Sequence, residues 1–115
     1  MQAIKHKLAD RYTDNELSRS HLYHGLWALD EAPNMLVQTA AAARLSASEA
    51  FWQMAKEAVH LHGAMGFTWE HDAHLFYRRA HYLTLALGSP RWWRDRLFES
   101  LEREAALAPP LRQNR

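Results

Sequence analysis

The sequence predicts an all-α protein folded as an up-and-down bundle of four helices. Apolar residues recur at helical spacing through long stretches, and the 115 residues include only 4 Gly and 4 Pro. No stretch alternates apolar and polar residues as a strand does, and there is no hairpin turn pair. Glycine and proline cluster at three breaks, which divide the chain into four helical segments.

The first helix is predicted over residues 2–30. Its apolar residues recur mainly at spacings of three and four, and the inward stripe is Ile4, Leu8, Tyr12, Leu22, Leu26 and Leu29. No capping residue precedes Gln2, so the sequence enters this helix abruptly. Residues 31–34 break the helix with Pro33, and Asn34 is the predicted cap of the next one.

The second helix is predicted over residues 35–62. One face carries Leu36, Ala40, Ala43, Ala47, Phe51, Met54, Ala58 and Leu61. The alanines at 40–43 favour helix and let a neighbouring helix approach closely. Gly63 is predicted to end this helix in a left-handed conformation.

The third helix is predicted over residues 69–87, with Thr68 as its cap and Gly88 as its end. Its inward residues are Leu75, Tyr82, Leu83 and Ala86.

The fourth helix is predicted over residues 91–106, after Ser89 as cap and Pro90 as first helical residue. Trp93, Leu97 and Leu101 recur at spacing four on its inward face. The adjacent Trp92 points about 100° away from Trp93, so we expect it to face a partner or a groove. The domain is therefore predicted over residues 1–106, with a flexible tail over 107–115.

Composition excludes several classes of function. The formal net charge of +1 gives no strong field for nucleic acid or acidic lipid. The absence of cysteine excludes disulfides, thiolate metal sites and a cysteine nucleophile. No apolar run approaches the roughly 20 residues of a membrane span, and the charged N-terminus has no signal core. The expected location is the cytoplasm.

Candidate sites from the residues alone are weak. His71 and His74 share a helix face, which suggests a metal-binding bundle, but no carboxylate stands three residues before either histidine. No serine has the glycine pattern of a nucleophile elbow. The glycine-containing stretch at 60–67 offers backbone N–H groups to a phosphate, although its residues alone favour a plain connection between helices.

Three stretches, in order, carry a family resemblance: residues 2–10, residues 58–67, and residues 66–75 with Arg78-Arg79-Ala80 after them. The Gly-Phe-Thr-Trp-Glu-His segment at 66–71 is the most specific of them. Over about residues 2–98 the chain resembles the C-terminal helical domain of the flavin-dependent acyl-CoA dehydrogenases. The resemblance implies a piece of an enzyme that carries out α,β-dehydrogenation of acyl-CoA thioesters, in fatty acid or steroid side-chain degradation.

The resemblance also implies an FAD site shared between subunits. In the family, a Gln-x-x-Gly-Gly-x-Gly turn reaches the FAD of a neighbouring subunit. Here His60, Gly63, Ala64 and Gly66 stand at the Gln and the three Gly positions. Ser89, from the later segment at 87–89, is the fifth residue that the resemblance places against FAD.

A catalytic residue is not expected. Many family members place a Glu base in a Glu-Gly-Thr segment, where this chain has Leu87, and leucine cannot accept a proton. Arg79 stands where many members have Asp. We therefore expect a truncated chain, inactive alone, that gives oligomer contacts and part of an FAD site.

Two kinds of partner fit that expectation: further copies of this chain, or a full-length acyl-CoA dehydrogenase subunit. Acyl-CoA would be bound only through such a partner. The alternative is a stand-alone helical oligomerisation or interaction module without flavin. Its contact surfaces would be Trp92 and the alanine-rich second helix.

Overall fold

A computed structural model describes residues 2–65 and 70–108, except for the side chains of residues 64, 65, 70 and 71. These ranges contain four α-helices and a 3₁₀ turn, and no strand. The helices are α1 Gln2–Glu31, α2 Leu36–Met65, α3 Glu70–Leu85 and α4 Pro90–Leu107. The predicted all-α class is confirmed.

The connection between α1 and α2 is a 3₁₀ turn, Pro33–Met35. The prediction that Asn34 caps α2 is wrong, because Asn34 lies inside this turn, whose own N-cap is Ala32. Pro33 has no N–H to satisfy and its fixed φ suits a helical start, so the turn leads directly into α2. The Met35 N–H donates to the Ala32 carbonyl at 2.9 Å.

α2 is the central element of the fold, and α1, α3 and α4 each pack against it. Among the described residues every buried side chain is small: Ala28, Thr39, Ala41, Ala50, Ala55, Ala73 and Ala80. Small side chains let helix backbones approach closely. Where α1 crosses α2, a Cβ added to Gly25 would lie 3.8 Å from the Thr39 carbonyl oxygen. The expected role of alanines in close helix packing thus holds at Ala41.

Large apolar side chains remain exposed, which corrects the predicted inward faces. The exposed members of those predicted faces are Leu8, Tyr12, Leu22, Leu26, Leu29, Ala47, Met54, Leu75, Tyr82 and Leu101. The reason is geometric: α1, α3 and α4 each contact mainly α2, so only one narrow stripe of each is covered. On α3 that stripe is Ala73, Tyr77, Ala80 and Thr84, and Leu75 and Tyr82 lie on the opposite side.

The chain is elongated. Its radius of gyration is 18.5 Å and its principal extents are 64 × 35 × 24 Å. A compact domain of this length has a radius of gyration of roughly 13 Å. The helices thus leave much of their apolar surface on the outside of the molecule.

The last two helices follow the predicted breaks with small shifts. α3 ends at Leu85, two residues early, and its predicted start at 69 and cap Thr68 lie outside the described residues. The Ser89 cap and Pro90 start of α4 are confirmed, and the Ser89 hydroxyl accepts from the Trp92 N–H at 3.2 Å. α4 extends to Leu107, one residue into the predicted tail, and residues 109–115 lie outside the described part.

The tryptophan pair of α4 divides as predicted. Trp93 is half-buried, whereas 45% of the Trp92 surface is exposed. Their rings meet edge to face with centroids 4.8 Å apart, and the Arg96 guanidinium lies over the Trp92 ring at 4.7 Å.

Candidate functional site

The first candidate stretch is the C-terminal end of α2. The prediction that Gly63 ends the helix is wrong, because α2 continues to Met65. Within an α-helix the backbone N–H groups of residues 60–65 bond to carbonyls four residues earlier. They are therefore not offered to a phosphate as the predicted turn would offer them. Ala64 is described only as helical backbone, and Gly66 lies outside the described residues.

His60 and Gly63 both face outward at this end of α2. Among the described residues, no atom lies within 4 Å of a Cβ added at Gly63. An exposed imidazole and an exposed, side-chain-free position leave this surface sterically open to a second molecule.

A groove of about 580 Å³ runs between the first half of α1 and the last turns of α2. Its apolar lining is Ile4, Leu8, Tyr12, Met54, Ala58 and Leu61. Lys7, Arg11, His60 and His62 add basic side chains to it, together with the carboxylate of Glu57. The groove suits a mainly apolar group that also carries polar atoms.

Two buried nitrogen atoms in this groove have no hydrogen-bond partner in the described residues. They are His62 Nδ1 and Arg11 Nε. The remaining Arg11 nitrogens are engaged, Nη2 with Asp14 at 3.0 Å and Nη1 with Glu57 at 3.3 Å. A buried polar atom without a partner costs about 1–3 kcal/mol. Within the described residues, this groove between α1 and α2 thus leaves two polar atoms unsatisfied.

The second candidate stretch is the α3–α4 turn, residues 86–89. Leu87 has φ 60° and Gly88 has φ 112°, and both values are left-handed. The Trp93 indole N–H donates to the Leu87 carbonyl at 3.1 Å. The Arg44 guanidinium of α2 donates to the carbonyls of Leu83 and Ala86, which satisfies acceptors at the end of α3.

The Leu87 side chain is 86% exposed at the tip of this turn. It has no ionisable atom, so the position offers no proton acceptor. The Ser89 hydroxyl is engaged as the cap of α4. The turn is thus completed by bonds within the chain.

The predicted flavin-contacting residues do not gather at one place in the chain. Arg44 of α2 donates to carbonyls beside the α3–α4 turn, so Ser89 lies near residue 44 of α2. His60 lies four to five helical turns further along α2. At 1.5 Å per residue the interval along α2 from residue 44 to residue 60 is roughly 24 Å. A single molecule therefore presents two separate surfaces.

Sequence reasoning missed Arg44 and the cavity beside it. This cavity of about 300 Å³ lies between α2, α3 and α4, with Trp52 and Trp93 among its walls, and the buried Ser48 hydroxyl there has no partner in the described part. One signal was available, since Arg44 is a single cation within an alanine-rich segment. A buried cation in such a segment needs acceptors, which helix ends supply.

Neither a metal cluster nor a membrane span is found in the described ranges. No group of three or more His, Cys, Asp or Glu side chains there could hold a metal ion, and the side chain of His71 lies outside them. None of the helices described is long and apolar enough to cross a bilayer.

Comparison with known proteins identifies relatives. The sequence profile of the family "Acyl-CoA dehydrogenase, C-terminal domain" matches residues 1–101. The protein named acyl-CoA dehydrogenase IpdE2 from Mycobacterium tuberculosis is 41% identical over 90 residues, which are 78% of this chain and 26% of that protein. Its namesake from Mycolicibacterium smegmatis is 39% identical over 90 residues, 78% of this chain and 27% of that protein.

A third relative is acyl-CoA dehydrogenase FadE34 from Mycobacterium tuberculosis, 36% identical over 95 residues, 81% of this chain and 13% of that protein. The chain thus spans about a quarter or less of the length of these curated relatives. No solved structure matches the chain.

Proposed function

Because this chain belongs to the acyl-CoA dehydrogenase family, as its C-terminal helical domain, we propose that it works inside a flavoprotein assembly. In that assembly it gives helical contacts to a neighbouring subunit and one edge of a shared FAD site. The parent reaction is the α,β-dehydrogenation of an acyl-CoA thioester, of the kind met in fatty acid or steroid side-chain degradation.

The exposed apolar surface carries the proposal of a partner. The buried side chains are alanine and threonine, whereas Leu8, Tyr12, Leu22 and Trp27 are each at least half exposed. Large apolar residues are exposed on all four helices, and such surfaces are typical of those that another chain covers. The relatives are about four times longer than the matched segment, so a full-length subunit has domains that could cover this surface.

The end of α2 supports a contact with FAD. His60 is exposed and can donate or accept a hydrogen bond, and Gly63 leaves room for close approach. His62 Nδ1 nearby, which has no partner among the described residues, provides a further polar atom. FAD, when bound, supplies the hydride acceptor, and these residues contribute only contacts at the edge of a site that a second subunit completes.

The α3–α4 turn supports the expectation that the chain is inactive alone. Leu87 stands where the resemblance places a base, and it cannot remove the α-proton of an acyl thioester. The Ser89 hydroxyl already accepts from Trp92, so it reaches a ligand only through its remaining hydrogen-bonding capacity. The base and the acyl-CoA pocket must therefore come from the partner subunit.

Flavin titration tests the proposal. The chain is mixed with FAD, with and without a full-length acyl-CoA dehydrogenase subunit freed of its flavin, and bound flavin is followed by absorbance after gel filtration. We expect flavin to co-elute only in the mixture, and His60→Ala to weaken its retention about tenfold, the loss of one good hydrogen bond.

The matched control is His24→Ala, an exposed histidine of α1 near the other end of α2. It should leave flavin retention unchanged. A mixture that stays colourless, or equal effects of the two substitutions, would contradict the FAD contact.

A second candidate is a helical interaction module without flavin. It is favoured by one observation: the backbone N–H groups at the end of α2 are engaged within the helix rather than free for a phosphate. An assembly that forms fully without FAD and does not tighten when FAD is added would favour this candidate.

A further inference from the structure

The cavity between α2, α3 and the start of α4, which we call the Arg44 cavity, is an internal recess with an exposed mouth. Its volume is about 300 Å³. The residues of its inner wall are partly covered, and they are Arg44, Leu45, Ser48, Trp52, Thr84, Pro90 and Trp93. Glu49, His81 and Arg94 are exposed and form the mouth. None of these residues lines the groove at the end of α2.

α2 brings a cation, a hydroxyl and an indole to one side of this cavity. Arg44, Ser48 and Trp52 recur at spacing four, so they share a face of the helix. Both bonds of Arg44 to carbonyls of α3 use Nη2, so its Nη1 and Nε make no hydrogen bond in the described part of the chain. Neither atom is sealed from solvent. The cavity therefore has uncommitted N–H donors on its inner wall.

Ser48 adds a second donor beside them. Its hydroxyl is buried and has no hydrogen-bond partner among the described residues. A buried polar atom in that state is costly, and a change of the single side-chain rotamer turns it toward the cavity. A guanidinium N–H and a hydroxyl one helical turn apart suit the two oxygens of a carboxylate.

Two tryptophans supply the apolar part of the inner wall. The Trp52 ring is held by Tyr77 and His81, with ring centroids 4.9 and 5.5 Å away. The Trp93 indole N–H is already engaged by the Leu87 carbonyl, so its ring presents carbon atoms to the cavity. Fixed indole surfaces of this kind suit a flat aromatic ring.

The other polar groups of the wall do not neutralise the cations. The Thr84 hydroxyl donates to the Ala80 carbonyl at 2.8 Å, and the Glu49 carboxylate accepts from the Gln53 amide at 2.9 Å. No ion pair in the described part of the chain involves Arg44 or Arg94. Two guanidinium groups thus stand against one carboxylate, which favours an anionic occupant.

We propose that the Arg44 cavity is a binding site for a small aromatic carboxylate. The carboxylate accepts from the free Arg44 N–H groups and from the Ser48 hydroxyl, and the ring packs against Trp52 and Trp93. At the packing density of protein interiors, about 0.74, the 300 Å³ cavity holds roughly 220 Å³ of ligand atoms. That is room for two fused rings with a carboxyl group, and far too little for FAD. The site is additional to the proposed function.

Binding of 2-naphthoate tests the proposal. The probe is titrated into the ¹⁵N-labelled chain, and the assigned indole N–H signals are followed by NMR. We expect saturable shifts at Trp52 and Trp93, and none at Trp27, which is exposed on α1. The amide 2-naphthamide keeps the rings without the charge, and cyclohexanecarboxylate keeps the charge without a flat ring. Each should bind about tenfold more weakly than 2-naphthoate.

Ser48→Ala separates binding from folding. It should weaken 2-naphthoate about threefold to tenfold, because one hydrogen bond is lost. The same variant should unfold at a higher temperature, because an unsatisfied hydroxyl is removed and alanine favours helix. Ser46→Ala is the matched control, since Ser46 is a partly covered serine of α2 outside the cavity. It should leave the affinity for 2-naphthoate unchanged.

The mouth is tested by Arg94→Gln, which should weaken 2-naphthoate about threefold, the modest effect of an exposed charge. Arg91→Gln, an exposed arginine that does not line the cavity, is its control.

Three results would overturn the proposal. They are the absence of saturable shifts at Trp52 and Trp93, equal affinity for 2-naphthoate and 2-naphthamide, and equal effects of Ser48→Ala and Ser46→Ala on binding. Because FAD is absent from every one of these titrations, a failed flavin experiment leaves them unaffected.

Discussion

The end of α2 and the α3–α4 turn differ in how far the chain completes its own structure. At the α3–α4 turn, four hydrogen bonds satisfy backbone groups, and their side-chain partners are Arg44, Trp93 and Ser89. The two left-handed residues, Leu87 and Gly88, lie within this bonded turn. At the end of α2, His60 and Gly63 are exposed and His62 Nδ1 has no partner in the described residues. The first region is satisfied by bonds within the described part of the chain, whereas the second leaves a polar atom and an open surface there.

This difference changes what the family resemblance means at each place. At the turn Leu87, which has no proton acceptor, occupies a tip bonded by the Trp93 indole. At the end of α2 the exposed residues His60 and Gly63 form an open surface. Substitutions in the two regions should therefore act on different properties, stability at the turn and partner binding at the end of α2.

The largest expected effect is that of Arg44→Ala. It removes both bonds to the carbonyls of Leu83 and Ala86, and leaves two acceptors without their charged donor. We expect the free energy of unfolding to fall by about 3 kcal/mol, measured by urea denaturation at fixed protein concentration. Arg78→Ala, an exposed arginine of α3, should cost less than about 0.5 kcal/mol. Equal losses would show that the Arg44 bonds do not hold the turn.

The same glycine substitution should have opposite signs in the two regions. Gly88→Ala forces a side chain onto φ 112° and places a Cβ 3.0 Å from Trp92 Cε3, so we expect a loss of about 2 kcal/mol. Gly63→Ala lies inside α2, where the added Cβ meets no described atom within 4 Å, and should stabilise the chain by about 0.5–1 kcal/mol. Thermal unfolding of the two variants side by side is the measurement. A loss at Gly63 would mean that its surface is not open.

Ser89→Ala should cost about 1 kcal/mol, because the first turn of α4 loses its hydroxyl acceptor. Ser18→Ala, in the middle of α1, is the matched control and should be neutral or slightly stabilising, since alanine is the better helix former. Urea midpoints of the two variants give the comparison. If Ser18→Ala proves as costly as Ser89→Ala, the cap has no special role in stability.

The smallest expected effect is a gain. Leu87→Asn should stabilise the turn by about 0.5 kcal/mol, because asparagine tolerates the left-handed φ of 60° better than leucine does. Leu85→Asn, an exposed leucine in the last turn of α3, should instead lose a similar amount of helix propensity. Differential scanning calorimetry measures the change in stability of each variant. If both variants gained or both lost stability, the strained geometry at Leu87 would be contradicted.

The helices were predictable where chemistry fixes the backbone. Pro33 cannot continue α1, and Ser89-Pro90 combines a cap with a residue suited to a first helical position. The predictions at Gly63 and Asn34 were wrong for different reasons. A glycine permits a helix to end but does not require it, and a side chain that can cap a helix does not always do so. Most helical stability in proteins comes from tertiary packing, which the residues around Gly63 do not report.

Inward faces were less predictable than helix positions. Periodicity at Leu8 and Tyr12 reports an apolar stripe, but not whether the same chain covers it. In the candidate site, His60 and Gly63 followed from the family motif, whereas Arg44 depends on carbonyls about 40 residues further along the chain. Such a contact follows from the way α3 returns along α2, which spacing alone does not reveal.

The alanine contact between the helices has a mechanical consequence. Interdigitating large side chains fix one helix lengthwise against another, and Ala28, Ala41 and Ala50 are too short to do so. α3 is held in register by Arg44, whereas in the described part of the chain α1 has the partly exposed Arg11–Glu57 pair in that role. α1 can therefore shift slightly along α2 without disturbing large packed side chains, and so fit neighbours of somewhat different shape.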